Sequence, residues 1–161
     1  MSEALLLILA GLAGQTLVAA LAPALELDMV LPNVALLTVV WIAIRRDAAT
    51  AFLAAFVLGG LAGLGVGAGR GALLFALAPV VPATGWVRAR AHLTQPLVAA
   101  GWLVLMSLLF DVLFCGTVGG VYGVRGGLGE LAHVSLWRAA ATGASGLVVL
   151  PLLQIVGSWM S

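Results

Sequence analysis

The sequence has little charge with which to coat a soluble surface. Only 8% of its 161 residues are charged, seven are arginine and none is lysine, while 63% are hydrophobic. Ordinary soluble domains carry about 25% charged residues, so a soluble globule is close to excluded. Disorder is also close to excluded, because disordered chains are poor in hydrophobic residues. The mean hydropathy of +1.23 indicates an integral membrane protein. A net charge of +1 gives no reason to expect nucleic acid as a partner.

Cysteine and histidine are also scarce, which limits the chemistry available. Cys115 is the single cysteine, so it cannot form an internal disulfide, and no metal-ligand spacing surrounds it. His92 and His133 are predicted on opposite sides of the membrane and cannot share a metal ion. No Ser-His-Asp arrangement, HExxH motif or pair of carboxylates is present. We therefore expect no cofactor, no metal and no enzymatic activity.

Long apolar runs are what the sequence has in abundance. A helix needs about 20 residues to cross the hydrocarbon of a bilayer, and the runs divide the chain into six stretches near that length. They predict one transmembrane domain, an all-α integral membrane bundle of six helices, over residues 4–22, 29–44, 48–64, 71–87, 97–114 and 136–160. The runs lack the alternation of a membrane β-barrel. The first run has no positively charged start, so it is interpreted as a retained span.

Charges, prolines and glycines separate these predicted spans. Arg45, Arg46 and Asp47 predict a very short break between spans 2 and 3. The break between spans 3 and 4 is only a glycine run, and a re-entrant segment there is the alternative. The glycine-rich stretch 115–135 predicts a long outer loop. The prolines that interrupt spans 4 and 6 also keep a transporter interpretation open, and they are Pro79, Pro82 and Pro151.

The arginines predict the orientation of the chain. The compact pairs Arg45–Arg46 and Arg88–Arg90 lie in short breaks on the side that also holds both chain ends. Because short cytoplasmic loops are rich in Arg and Lys, both termini are predicted to be cytoplasmic. Tryptophans favour the headgroup level, and four of them are predicted near the inner boundary and one near the outer. These are Trp41, Trp86, Trp102 and Trp159, with Trp137 at the outer boundary.

A run of glycines marks a candidate helix-packing face. Gly59, Gly63, Gly67 and Gly71 recur every four residues, a spacing that makes one smooth ridge on a helix. The ridge predicts either a tight crossing within the protein or a face that binds a partner helix. A phosphate-binding loop is disfavoured because the GK[ST] ending is missing.

Asp111 is the one acid well inside a predicted span. It belongs to a stripe of small or polar residues that should face other helices instead of lipid. The stripe consists of Ala100, Val104, Ser107, Asp111 and Cys115. Three polar residues at the same depth are candidate partners for the carboxylate: Arg70, Arg125 and Asn33. The stripe predicts a buried structural hydrogen-bonding group, and a proton or ion site is the alternative.

Two stretches carry a family resemblance. Residues 31–60, LPNVALLTVVWIAIRRDAATAFLAAFVLGG, resemble the MreD family of bacterial rod-shape-determining membrane proteins. Pro32–Asn33 matches the Pro–Asn or Pro–Asp at the outer start of that family's second span, and residues 56–59 match its F-x-x-G helix. Residues 107–114, SLLFDVLF, resemble the family's fifth span and bring its acid onto Asp111. The chain departs from the family at Gly63, where many members have an acid.

The resemblance implies a function and a set of partners. It implies a non-enzymatic scaffold subunit of the cell-elongation (rod) complex in the bacterial inner membrane, serving cell shape and peptidoglycan synthesis. The implied partners are an MreC-like protein, a RodA-type glycosyltransferase with its penicillin-binding transpeptidase, MreB filaments and the lipid bilayer. The implied fold is similar to the S-components of energy-coupling-factor transporters. The alternative function is such an S-component, a vitamin-binding subunit, which would need a closed polar cavity below the outer loops.

Overall fold

The computed structural model describes residues 2–25, 32–62, 70–93, 95–122 and 128–159. Over these ranges the chain is all-helical and contains no strand. The helices are α1 (Ser2–Leu25), α2 (Val34–Arg45), α3 (Ala48–Ala62), α4 (Arg70–Leu77), α5 (Val80–Arg88), α6 (Pro96–Tyr122) and α7 (Leu128–Trp159). They follow the order of the predicted spans, with α4 and α5 together occupying the fourth. The prediction of an all-α protein is confirmed for the described residues.

Helix α2 lies at the centre of the bundle. All of its residues from 35 to 44 are buried, and it contacts α1, α3, α5, α6 and α7. A helix that is apolar on every side is stable only when it is covered on every side. Asn33 begins the helix, because its Oδ1 accepts the Leu36 N–H at 3.0 Å. Arg46 ends it by turning the backbone into an extended conformation.

Asp47 begins α3 immediately afterwards. Its Oδ2 accepts the Thr50 N–H at 3.1 Å, and its Oδ1 accepts the Thr50 hydroxyl at 2.7 Å. A carboxylate in this position satisfies N–H groups that have no partner in the first turn of a helix. Residues 46–47 are therefore the whole connection between α2 and α3, as the short predicted break requires.

Two prolines account for the interruption between α4 and α5, one within it and one in the first turn of α5. Proline has no N–H, so Pro79 and Pro82 cannot donate to the carbonyls of Phe75 and Ala78. The interruption covers only residues 78–79. Hydrogen bonding resumes at once, since the Ala83 N–H donates to the Pro79 carbonyl at 3.2 Å. The predicted interruption of span 4 is confirmed, whereas α7 continues through Pro151.

The loop predicted over residues 115–135 is wrong for most of its length. Helix α6 continues to Tyr122 and α7 begins at Leu128, so only 123–127 lie outside the described residues. A glycine costs a helix only about 0.5–1 kcal/mol relative to alanine, which the extensive pairing of α6 with α7 offsets. Inside α6 the Thr117 hydroxyl also bonds back to the Leu113 carbonyl.

Large apolar side chains cover the outside of the bundle as well as its core. Leu97, Val112 and Phe56 are 78%, 69% and 67% exposed. The segments Gly71–Arg88 and Pro96–Gly120 are long and apolar enough to cross a membrane, and only 33% and 39% of the residues in their 18-residue apolar windows are buried. A core helix of a soluble protein would be mostly buried. Three further apolar segments are shorter than a span: Leu5–Val18, Val34–Arg45 and Ala48–Leu61.

Candidate functional site

A buried ion pair joins the two longest helices. Asp111 on α6 is 3% exposed, and its Oδ1 lies 3.2 Å from Nη1 of Arg138 on α7. The guanidinium is partly exposed, with 33% of the side chain accessible. A carboxylate in this apolar environment would be very costly without a partner. Arg138 therefore fixes the register of α7 against α6.

The same network continues into α2 through a threonine. Thr142 is fully buried and lies one turn beyond Arg138. Its hydroxyl donates to the Arg138 carbonyl at 2.8 Å and accepts the backbone N–H of Asn33 at 3.0 Å. Since the Asn33 side chain caps α2, the beginning of α2 is tied to α7 and, through Arg138, to α6. We call Asn33, Asp111, Arg138 and Thr142 the interhelical polar network.

Some buried side-chain oxygens of the described residues have no partner, including one within this network. Ser107 is fully buried one turn before Asp111, as the predicted inward-facing stripe requires. Three buried side-chain oxygens lack a hydrogen-bond partner among the described residues: Gln15 Oε1, Ser107 Oγ and Asp111 Oδ2. The hydroxyl of Ser107 therefore adds no hydrogen bond to the network in this structure.

Glycines on α7 allow the close approach that the ion pair needs. A Cβ added at Gly143 would collide with Val104 Cγ2 and would lie 3.4 Å from the Ala100 carbonyl oxygen. A Cβ at Gly146 would collide with Leu103 Cδ1. Sequence reasoning missed this pair, although their spacing of three residues places them on one face of a helix.

Sequence reasoning also missed Arg138 and Thr142, and it proposed other residues as partners of Asp111. The sequence places Arg138 at the edge of a span beginning at residue 136, but α7 begins at Leu128. Of the predicted partners, Asn33 joins the network through Thr142. Arg125 and the side chain of Arg70 lie outside the described residues. The sequence signal that could have identified Arg138 and Thr142 is their spacing of four residues in the next predicted span.

The structure describes two of the four glycines of the predicted ridge. Gly59 is buried in the crossing of α3 and α4, where an added Cβ would lie 3.1 Å from Leu74 Cδ2 and 3.2 Å from Leu74 Cα. Gly71 is exposed and has nothing within 4 Å of an added Cβ. Gly63 and Gly67 lie outside the described residues. Gly59 thus serves packing within the chain, and a partner-binding face at this ridge stays a prediction.

The arginines of the two predicted inner breaks gather at the other end of α2. Arg88 Nη1 donates to the Arg46 carbonyl at 3.0 Å and to the Ala43 carbonyl at 3.5 Å. These bonds satisfy carbonyls that the end of α2 leaves open. Arg45 lies over the Trp41 ring at 4.8 Å, and Arg90 lies over the Trp86 ring at 4.0 Å. We call this the arginine end.

The tryptophans predicted at the inner boundary differ in exposure. Trp86 is 61% exposed, whereas Trp41 is only 4% exposed and belongs to the core. Trp102 is half-buried and donates its indole N–H to the Thr84 hydroxyl at 3.1 Å. The side chain of Trp159 lies outside the described residues. The sequence does not distinguish these cases because all of these tryptophans lie near a predicted span end.

A cavity of about 340 Å³ opens at the arginine end. It lies where the ends of α2 and α5 meet the beginning of α3. Its lining residues are Ala43, Arg46, Asp47, Ala48, Val81, Gly85, Arg88 and Ala89. Within it, the hydrogen bond from the Thr50 hydroxyl, followed by that from the Thr50 N–H, lowers the pKa of Asp47 below its usual range. The carboxylate is therefore ionised at neutral pH, and both of its oxygens accept hydrogen bonds from Thr50.

Comparison with protein-family models, with curated proteins and with solved structures gives no match for this chain. The resemblance of residues 31–60 and 107–114 to the MreD family stays a prediction. The structure adds a physical relationship between these two stretches, because Asn33 and Asp111 belong to the same interhelical polar network.

Proposed function

We propose that this chain is a multi-pass protein of the bacterial inner membrane, with six spans and both termini in the cytoplasm. The exposed apolar side chains of α1, α3, α6 and α7 support lipid contact around the bundle. Helix α2 covers only about 18 Å at 1.5 Å per residue, but other helices enclose it. The gathering of four arginines at one end supports assigning that end to the cytoplasm.

Within that membrane, the proposed role is a non-enzymatic scaffold of the cell-elongation complex. It would dock an MreC-like protein, a RodA-type glycosyltransferase and its penicillin-binding transpeptidase, with MreB filaments at the cytoplasmic side. The observation that carries this proposal is the network between Asn33 and Asp111. These two positions carry most of the family resemblance, and a shared structural role gives a reason for both to be polar.

The network suits a docking platform physically. It holds α2, α6 and α7 in one arrangement at the end opposite the arginines. A partner helix then binds a preformed surface, so less conformational entropy is lost on binding than if that surface were mobile. Gly71, exposed at the beginning of α4, offers a place where a partner backbone can approach closely.

Capture of an MreC-like protein tests the role. The tagged chain, purified in mild detergent, should retain the MreC-like protein of the same organism. Gly71→Leu should weaken this retention, whereas Gly116→Leu, at another exposed glycine with open space around it, should leave it unchanged. Failure of the unmodified chain to retain the protein would contradict the scaffold, and equal retention by both variants would remove Gly71 from the interface.

A vitamin-binding experiment tests the alternative. An S-component should bind a small vitamin tightly, so titration calorimetry with a set of vitamins would detect it. We expect no binding. Tight binding without retention of the MreC-like protein would replace the scaffold by the transporter subunit.

A further inference from the structure

We propose that one water molecule binds inside the bundle, between α6 and α7, and bridges the Ser107 hydroxyl to Oδ2 of Asp111. Ser107 is 0% exposed and Asp111 is 3% exposed. Each carries a buried oxygen that has no hydrogen-bond partner among the described residues. Such groups are costly to bury, and ordered water satisfies them in many proteins. The inference concerns the inside of the bundle and does not depend on the proposed function.

The hydroxyl of Ser107 is not used by its own helix. A hydroxyl in an apolar helix commonly donates to the carbonyl four residues earlier. Three threonines of the described helices make this bond, and they are Thr38, Thr117 and Thr142. Ser107 makes no such bond to the Leu103 carbonyl. Its donor is therefore available to a ligand that lies between the helices.

The spacing of the two oxygens suits a single water molecule. Ser107 and Asp111 are one helical turn apart on the buried face of α6. Side chains at this spacing have Cβ atoms about 5–6 Å apart. Two O–H···O bonds in series span up to about 5.5 Å, at about 2.7–2.8 Å each. One water therefore reaches both oxygens, whereas a larger molecule would have to displace buried side chains.

The register of α6 against α7 shows what lies opposite Ser107. Ser107 lies between Val104 and Asp111 on α6. Val104 is the residue that a Cβ at Gly143 would meet, and Asp111 pairs with Arg138. The two helices are antiparallel, so Ser107 comes level with the stretch of α7 between those two contacts.

Thr142 lies in that stretch and can act as a third partner. Its hydroxyl donates to the Arg138 carbonyl and accepts the Asn33 N–H. A hydroxyl oxygen has two acceptor lone pairs, so one remains. The water accepts the Ser107 O–H and donates to Asp111 Oδ2 and to Thr142 Oγ1. Three hydrogen bonds are typical of a buried water, and this one joins Ser107 to the interhelical polar network.

The charges of the site favour a neutral ligand. The Asp111 carboxylate is already paired with the Arg138 guanidinium at 3.2 Å. A bound cation would leave one positive charge uncompensated in apolar surroundings, and an anion would meet the carboxylate. The ligand must also donate to an acceptor-only carboxylate and accept from a hydroxyl. Water meets both requirements at the smallest size.

Infrared spectroscopy of the full chain in neutral detergent tests the site. Hydrated films are prepared with ordinary water and with water enriched in heavy oxygen. The unmodified protein should show an O–H stretching band that shifts with the oxygen isotope and is lost in Ser107→Ala. The control Ser145→Ala, at a half-buried serine of α7 outside the network, should keep the band. Absence of the band from the unmodified protein, or its persistence in Ser107→Ala, would overturn the proposal.

The same spectra exclude a bond without water. If Asp111 carried a proton and bonded Ser107 directly, a carboxylic acid C=O band would be present and Asp111→Asn would remove it. That result would overturn the water site. We expect no such band, because the carboxylate is paired with Arg138.

The sign of a stability change gives an independent test. Ser107→Ala should lower the unfolding midpoint in a denaturing detergent, because it breaks the bridge. An unpartnered hydroxyl would give the opposite result, since alanine favours a helix and leaves no polar group to bury. Ser145→Ala should not lower the midpoint. A raised midpoint in Ser107→Ala would overturn the proposal, and the band of the unmodified protein decides the question if a variant fails to fold.

Discussion

The hydroxyl of Thr142 lies 3.0 Å from the backbone nitrogen of Asn33, so a side chain near the middle of α7 holds the beginning of α2. The same hydroxyl donates to the Arg138 carbonyl, and Arg138 pairs with Asp111. A single threonine therefore uses both its donor and its acceptor capacity in a fully buried position. These bonds connect three helices through one buried hydroxyl.

Removing that hydroxyl should be costly. Thr142→Val keeps the shape of the side chain but leaves the part-buried Asn33 N–H without its partner, which costs about 1–3 kcal/mol for a buried donor and should fall toward the lower end here. Unfolding of the purified protein by a denaturing detergent measures the change. Thr16→Val is the control, because the Thr16 hydroxyl is exposed and bonds only within α1, to the Ala13 carbonyl. Equal effects of the two variants would contradict a special role for Thr142.

Replacing either member of the ion pair should destabilise the fold, but by unequal amounts. Arg138→Gln leaves the buried Asp111 carboxylate unpaired and should destabilise the fold by about 3 kcal/mol, the low end for buried pairs because Arg138 is 33% exposed. Asp111→Asn should cost less, since the remaining guanidinium can turn toward solvent or headgroups. The same detergent-unfolding assay compares them.

The double variant Asp111→Asn/Arg138→Gln shows whether the groups interact. It should be less destabilised than the sum of the two single variants, because neither charge is then left alone. Arg90→Gln, an exposed arginine over a tryptophan, is the control and should change stability by less than about 0.5 kcal/mol. Strict additivity would mean that the pair contributes nothing as a pair.

Local signals in the sequence predicted helix ends well. The Arg45–Asp47 break corresponds to the end of α2 at Arg45 and the beginning of α3 at Ala48. Pro79 and Pro82 lack the N–H that a continuing helix would need, and the interruption lies there. These features are encoded by the chemistry of single residues, so they can be read without knowledge of the neighbouring helices.

Features that depend on contacts between helices could not be predicted in this way. The glycines at 116, 119 and 120 weaken an isolated helix, and the sequence predicted a loop, but α6, which packs extensively against α7, is helical to Tyr122. The partner of Asp111 depended on where α7 begins, so the error in the loop also hid Arg138. A polar residue inside a span indicates that a partner exists but does not identify it.

Substitution by alanine should change the stability of the protein in opposite directions at Gly143 and at a glycine with open space around it. Alanine favours a helix by about 0.5–1 kcal/mol over glycine, so Gly116→Ala, with nothing near an added Cβ, should stabilise the protein. At Gly143 the added methyl collides with the stiff side chain of Val104, and overpacking costs about 1–3 kcal/mol. Unfolding measurements on both variants decide the point, and stabilisation by Gly143→Ala would contradict the close approach of α6 and α7.

The cap at Asp47 predicts a dependence of stability on pH. Hydrogen bonds from the hydroxyl and the N–H of Thr50 lower the pKa of Asp47 in the folded protein. A group with a lowered folded-state pKa contributes stability above its unfolded-state pKa and loses it as the pH falls through the folded-state pKa. Asp47→Asn still caps the helix but carries no charge. The unmodified protein should therefore be more stable than the variant at neutral pH, by a small amount because the carboxylate is exposed.

Unfolding midpoints of both proteins between neutral and strongly acidic pH measure this difference, which should shrink to nothing once the folded-state carboxyl is protonated. Thr50→Val provides the second arm, because it removes the hydroxyl that contributes most to the lowered pKa. In that background the advantage of aspartate over asparagine at this position should be smaller and should disappear at a higher pH. A difference that stays constant from neutral to acidic pH would mean that the charge of Asp47 contributes nothing to the cap.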